Sequence, residues 1–419
     1  MEADATIQAI SLFVALVAAA GIVGLLLHRF AIPIPYTVAL VVLGMVAGAI
    51  LPIDLQVSPE IVLLVLLPGL VFEAALRIDI DDFRRTFGGI VLLAAPGVLV
   101  SAAIVAAVLA VATGLPVELG FVVGAMVAAT DPVAVVSTFK QLGSPRRLAT
   151  LIESESLFND GTALVVFTVA VQIALGPVEP GGIVVNVVTI IVASTAIGIA
   201  IGWVASRMIA AVDDHLVELT LSVAAAYGTY LIADLVDQSG IIATVVAGLL
   251  IGNHARQVGM NRPSLEALDT VWEFFAFLLT AVVFLLIGLA IGVGDLLTAL
   301  PWIAWGIVAI LVGRAIVVYA LLGGASRLVL GRRSAHVLPT AWLHVLFWGG
   351  LRGAVAIAMA LSLPVDFPRR DLLQAMTFGI VLFTLLVQGT TIEWLIERVG
   401  VGRAQVADAA DAEAASVEP

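Results

Sequence analysis

The chain has 419 residues, 62% of them hydrophobic and 12% charged, and its mean hydropathy is +1.17. Such a composition excludes a soluble globular protein and fits one that crosses a bilayer many times. The absence of cysteine excludes disulfides and Cys-ligated metals, and nineteen scattered basic residues under a net charge of −12 exclude nucleic-acid binding.

The first apolar run, residues 7–27, is too long for a signal-peptide core and no clear cleavage site follows it, so it reads as a first span. Further apolar segments follow at 34–51, 60–76, 87–112, 117–139, 147–175, 182–210, 216–235, 238–252, 269–291, 298–325, 336–361 and 371–396, which makes thirteen. With thirteen spans, fifteen of the nineteen Lys and Arg residues fall on one side, and Arg369 and Arg370 on the other. Basic residues favour the cytoplasmic side, which puts the N-terminus outside and the C-terminus in the cytoplasm of a cell (inner or plasma) membrane. Trp302, Trp305 and Trp394 fit interfacial belts. Residues 1–403 read as one transmembrane domain, and 404–419 as a short, disordered, acidic cytoplasmic tail.

Thirteen divides into six, a linker and six: 7–175, then 182–210, then 216–396. The fifth span carries Thr130-Asp131-Pro132 and the twelfth carries Gly349-Gly350-Leu351-Arg352-Gly353, each the fifth member of its half. Pro132 removes a backbone donor and clashes with the preceding turn, and the glycines loosen the second segment. Interrupted helices at matching places in two halves point to inverted repeats with a site at the membrane midplane. The expected fold is therefore an all-α polytopic membrane protein of about thirteen transmembrane helices, in two inverted six-helix repeats with broken crossing helices.

Charged groups at membrane depth are costly and mark ion or proton pathways. Asp131 lies beside the first break, where Thr130 oxygens and free carbonyls offer hard ligands for an alkali cation. In the run Glu153-Ser154-Glu155-Ser156-Leu157-Phe158-Asn159-Asp160, helical spacing puts Ser156 and Asp160 on one face and Glu155 and Asn159 on a neighbouring one. One stripe can hold an ion while the other ties the helix to a partner. Glu153 reads as a cap at the cytoplasmic end of its span. Arg352 needs a buried anion, and Glu155 is the expected partner. Arg314 is a second intramembrane arginine, for which a structural pair and a functional role are both open. Glu73 either reaches the ion site or lies at the cytoplasmic edge. The histidines are too scattered for a metal site, and His344 reads as a packed or interfacial residue.

Ala129-Thr130-Asp131-Pro132-Val133-Ala134, the run from Glu153 to Thr162, and Gly349–Ala354 together resemble the signatures of the CPA1 sodium/proton antiporters, the prokaryotic NhaP type above all. They are similar also to the plant salt-tolerance antiporters. The resemblance implies an NhaA-like antiporter fold, a homodimer in the lipid bilayer, and elevator-like exchange of Na⁺, or Li⁺ or K⁺, for H⁺, in the service of pH homeostasis and salt tolerance. No cofactor and no enzymatic activity are implied. Carried onto this sequence, it makes Asp160 the ion- and proton-binding carboxylate, with Asp131, Thr130, Ser156 and Glu73 as companions. Glu155 and Arg352 become a buried ion pair, and Asn159 the tie between crossed helices. Asn before Asp160 is similar to the electroneutral branch, while Ser154 stands where Gly is common.

The residues alone leave a K⁺-selective antiporter open, since both ions take oxygen ligands. A cation channel would need a pore with a filter-like repeat, and none is visible. An intramembrane protease could use Asp131 and Asp160 as a dyad, but would have no need of the Arg and Asn partners.

Overall fold

A computed structural model describes residues 2–30, 34–50, 61–177, 179–255, 260–324 and 338–401, and every regular element among them is a helix. The acidic tail at 404–419 lies outside the described residues. In lipid each backbone N–H and C=O must be satisfied within its own segment, and helices do this for apolar runs of this length.

In chain order the helices are α1 (Glu2–Phe30), α2 (Tyr36–Ile50), α3 (Leu67–Arg77), α4 (Ile80–Thr113), α5 (Val117–Met126), α6 (Val133–Leu142), α7 (Arg146–Leu175) and α8 (Pro180–Ala210). They continue as α9 (His215–Asp234), α10 (Gly240–Leu250), α11 (Arg262–Ala290), α12 (Val293–Thr298), α13 (Leu300–Leu322), α14 (Thr340–Trp348), α15 (Ala354–Leu361) and α16 (Arg370–Val399). Among the described residues, seven of these are both long and apolar enough to cross a bilayer: α4, α7, α8, α9, α11, α13 and α16. Shorter apolar helices stand beside them. Each predicted apolar segment overlaps a helix, and the fifth and twelfth overlap a pair: α5 with α6, and α14 with α15.

Local chemistry sets the ends. Asp79, Asp214, Ser239 and Asn261 accept backbone N–H groups at the starts of α4, α9, α10 and α11. Gly114 and Gly143 close α4 and α6 in the left-handed region, at φ 69° and 65°, which other residues reach only with strain. Three long helices also contain a wider π-type turn, Leu93–Gly97 in α4, Ile316–Leu322 in α13 and Thr384–Gln388 in α16. Pro96 lies inside the first.

The chain forms two compact units that interleave in sequence. The first comprises Met1–Leu76, Ile190–Ala299 and Ile357–Pro364. In it α2 lies tightly on α11, where Gly44 and Gly288 bring their backbones together: a Cβ on Gly44 would stand 2.9 Å from the Gly288 Cα. Phe72 and Trp272 pack in a tilted arrangement with ring centroids 4.9 Å apart, and the Trp272 indole N–H donates to Ser222 Oγ at 3.0 Å. The second unit comprises Arg77–Thr189, Leu300–Ala356 and Val365–Pro419. Here α4 packs on α5 through Ala102, Ala106, Gly120 and Gly124, and on α13 where Gly313 meets Ser101. The buried Glu155, Asn159, Arg314 and Arg352 all belong to this second unit.

Candidate functional site

Both sequence breaks are real, and they meet. Helix α5 stops at Met126 and α6 begins at Val133; α14 stops at Trp348 and α15 begins at Ala354. Between them the two non-helical stretches cross. The Asp131 N–H donates to the Leu351 carbonyl at 2.8 Å. Arg352 Nη1 donates to the carbonyls of Ala128 (2.5 Å) and Ala129 (3.1 Å), while the Arg352 N–H donates to Thr384 Oγ1 at 3.0 Å. Asp131 Oδ1 accepts the Val133 N–H at 3.0 Å and so caps α6 beside Pro132. The Gly353 Cα lies against the Asp131 side chain so closely that no Cβ fits there. Each break supplies partners for backbone groups that the other leaves without helical bonds, which is what permits broken helices in an apolar setting.

Helix α7 passes beside this crossing and presents the two predicted stripes. Thr130 Oγ1 donates to Ser156 Oγ at 3.1 Å, and Ser156 Oγ bonds the Thr130 carbonyl. Asn159 receives the Thr130 N–H on Oδ1 (3.2 Å), and its Nδ2 donates to Thr130 Oγ1 (2.7 Å) and Glu155 Oε1 (3.1 Å). Asn159 is thus the tie between α7 and the first break. Glu153 is half-buried two turns inside α7, whose N-cap is Pro145, and so is not a cap.

The expected ion pair needs correcting. Glu155 pairs with Arg314 and not with Arg352: Arg314 Nη1 and Nη2 donate to the two Glu155 oxygens at 2.7 and 3.1 Å. The same guanidinium also donates to the Leu346 carbonyl, through Nε at 3.2 Å and Nη2 at 3.0 Å. Leu346 lies in the last turn of α14, where carbonyls lack helical partners. A planar fork can grip a carboxylate with two bonds and still reach a carbonyl, and Arg314 does both. Arg352 sits in the non-helical crossing and is occupied with peptide carbonyls.

Asp160, next on the helix, is different from all these groups. It is half-buried, and its Oδ1 is buried without a hydrogen-bond partner among the described residues. It lies within electrostatic reach of Asp131, Glu155 and Arg352. One turn before it, Ser156 bonds Thr130 at the first break. Hard oxygen ligands suit an alkali cation, and a carboxylate lacking donors can also take a proton. Among the described residues no three His, Asp or Glu side chains converge as they would around a resident metal. Glu73 is half-buried on α3 and belongs to the first unit.

Ser101, Thr384 and the π-type turns of this region escape sequence reading. Serine and threonine are common in apolar helices, so neither hydroxyl stands out, and only Pro96 hints at a turn.

Residues 12–398 match the family described as sodium/hydrogen exchanger, transmembrane. The Na⁺/H⁺ antiporter ApNhaP of Aphanothece halophytica is 41% identical over 373 residues, covering 88% of this chain and 70% of that protein. The Na⁺/H⁺ antiporter NhaP of Pseudomonas aeruginosa is 37% identical over 357 residues, covering 82% of each. Among solved structures, the sodium proton antiporter MjNhaP1 of Methanocaldococcus jannaschii superposes with a TM-score of 0.75 at 18% identity, over 94% of this chain and 99% of that one, a likeness of fold. With nearly its whole length matched, and with crossed breaks beside an unpartnered carboxylate, this chain belongs to the sodium/hydrogen exchanger family.

Proposed function

We propose that this protein is an antiporter that exchanges Na⁺ for H⁺ across a membrane, and that both ions compete for Asp160. The observation that carries this reading is the buried, unpartnered Asp160 Oδ1 beside the crossing of two broken helices. A desolvated carboxylate is unfavourable as a bare anion. It is neutralised by a proton or by a cation whose shell is completed by Thr130, Ser156 and Asp131. If the second unit changes its exposure only when Asp160 is neutralised, each passage carries one ion or the other, and exchange follows. The Glu155–Arg314 pair and Asn159 keep the site's frame while its occupant changes. A homodimer in the cell membrane, with the N-terminus outside and the C-terminus in the cytoplasm, completes the reading. Li⁺ and K⁺ present the same chemistry, with K⁺ selectivity the principal alternative.

The decisive substitution is Asp160→Asn, which keeps the shape and removes the exchangeable charge. In proteoliposomes it is expected to abolish Na⁺-driven dissipation of a pH gradient while elution and thermal unfolding stay near those of the parent. Parent-like flux in this variant would remove Asp160 from the centre of the mechanism.

A further inference from the structure

Beside the Glu155–Arg314 pair lies a small cleft, with room for about one water molecule, between α4, α7, α13 and the two crossing segments. Its polar wall consists of Ser101, Glu155, Asn159, Arg314 and Arg352. Most of these groups are already engaged. Glu155 is held by Arg314 and Asn159, and Asn159 is held by Thr130. Two are not. Arg352 is 2% exposed, yet its Nε has no hydrogen-bond partner, and only its Nη1 is bonded to the protein among the described residues. Ser101, 7% exposed, makes no hydrogen bond through its hydroxyl among the described residues. A buried guanidinium N–H with no acceptor is costly, and a polar cleft with such groups on its wall is the kind that holds ordered water. The space next to Ser101 is kept by small residues: Gly97 and Gly313 flank it, and a Cβ on Gly313 would stand 3.2 Å from Ser101 Oγ. The π-type turns at Leu93–Gly97 and Ile316–Leu322 contribute Leu93, Gly97 and Val317 to the same wall.

We propose that this cleft is a built hydration site, in which ordered water bridges Arg352 to Ser101, and that Ser101 is thereby a positioning residue for the cation site. The route is short. Arg352 grips the carbonyls of Ala128 and Ala129, the two peptides that lead into Thr130 and Asp131. Water anchored by Ser101 fixes the other edge of the guanidinium, and so fixes where Thr130 and Asp131 place their oxygens. The hydroxyl touches neither the cation nor Asp160. Its removal therefore weakens cation binding without removing the exchanging group, and leaves the packing of α4 on α13 as it was.

The test is Ser101→Ala in the full chain, with a high-resolution structure of the parent. The expected results are ordered water within hydrogen-bond distance of Arg352 Nε and Ser101 Oγ, and in S101A an apparent KM for Na⁺ raised roughly three- to tenfold, the size of one hydrogen bond. The maximal rate and unfolding temperature are expected to stay near the parent's, which separates positioning from a structural role. A dry cleft, an anomalous bromide peak in its place, or S101A with the parent's KM would overturn the proposal. The positioning role rests on the antiport reading, and the hydration site does not. Absence of exchange in the parent protein would strike down that reading together with the positioning role, while the density at Arg352 decides the hydration site separately.

Discussion

Two arginines are buried within apolar segments, and they are held in different ways. Arg314 forks onto Glu155 at 2.7 and 3.1 Å, whereas Arg352 binds peptide carbonyls. Removing one member of a buried pair leaves the other as an uncompensated charge, at a cost of about 3–5 kcal/mol. Arg314→Ala is therefore expected to lower the unfolding temperature of the purified protein sharply, and Glu155→Gln with Arg314→Met to recover most of the loss. Glu155→Gln with Arg352→Met is expected to recover nothing over Arg352→Met alone. Equal rescue by both doubles would mean that the pairing seen here does not govern stability. Both arginines, Glu155 and Asn159 are visible in the sequence as costly groups in apolar runs. Which arginine meets Glu155 is not, because partner choice depends on the direction each side chain leaves its backbone. Arg314 leaves a helix and Arg352 leaves non-helical chain, a distinction that charge and hydropathy do not carry.

At the scale of elements, glycines divide into those that hold two backbones together and those that hold nothing. A Cβ on Gly124 would stand 2.5 Å from the Ala102 carbonyl oxygen and 2.8 Å from its Cα, whereas one on Gly88 would meet nothing within 4 Å. Gly124→Ala is expected to destabilise by about 1–3 kcal/mol, as overpacking does, because α4 and α5 cannot both keep their positions. Gly88→Ala, in the same helix as Ala102, is expected to be neutral or to gain up to about 1 kcal/mol of helix propensity. Thermal unfolding of the two variants beside the parent checks the contrast, and a destabilised Gly88→Ala would contradict it. The broken helices were legible because Pro132 and three glycines are backbone statements in themselves. The π-type turns were not, since a one-residue slip in hydrogen bonding needs no special residue.

On the scale of the whole molecule, thirteen apolar runs announce the helices but not their neighbours. Lipid-facing and buried faces are equally apolar, so periodicity assigns no partner. The interleaving of the two units, in which the chain passes across after Leu76, Thr189, Ala299, Ala356 and Pro364, therefore has no compositional mark. Stoichiometry is a property at this scale too. Asn159 is engaged by Thr130 and Glu155, and Asp131 accepts the Val133 N–H, so the proposed reading makes Asp160 the site group whose occupant changes. On that reading one H⁺ is expected to exchange for one Na⁺ with no net charge moved. A membrane potential acts with about 2.3 kcal/mol per elementary charge per 100 mV, so the rate in proteoliposomes under an imposed potential is expected to stay flat. Rates that rise or reverse with that potential would show that a second charge travels. The crossing of the two breaks also sets a clock on biosynthesis. The Ala128 carbonyl and the Arg352 guanidinium that binds it are 224 residues apart. At about 5–20 residues per second, a ribosome needs roughly 11–45 s to travel between them. Throughout that interval the nascent first break carries carbonyls whose partner has not been made. A chain cut short before Arg352 would keep those carbonyls without that partner.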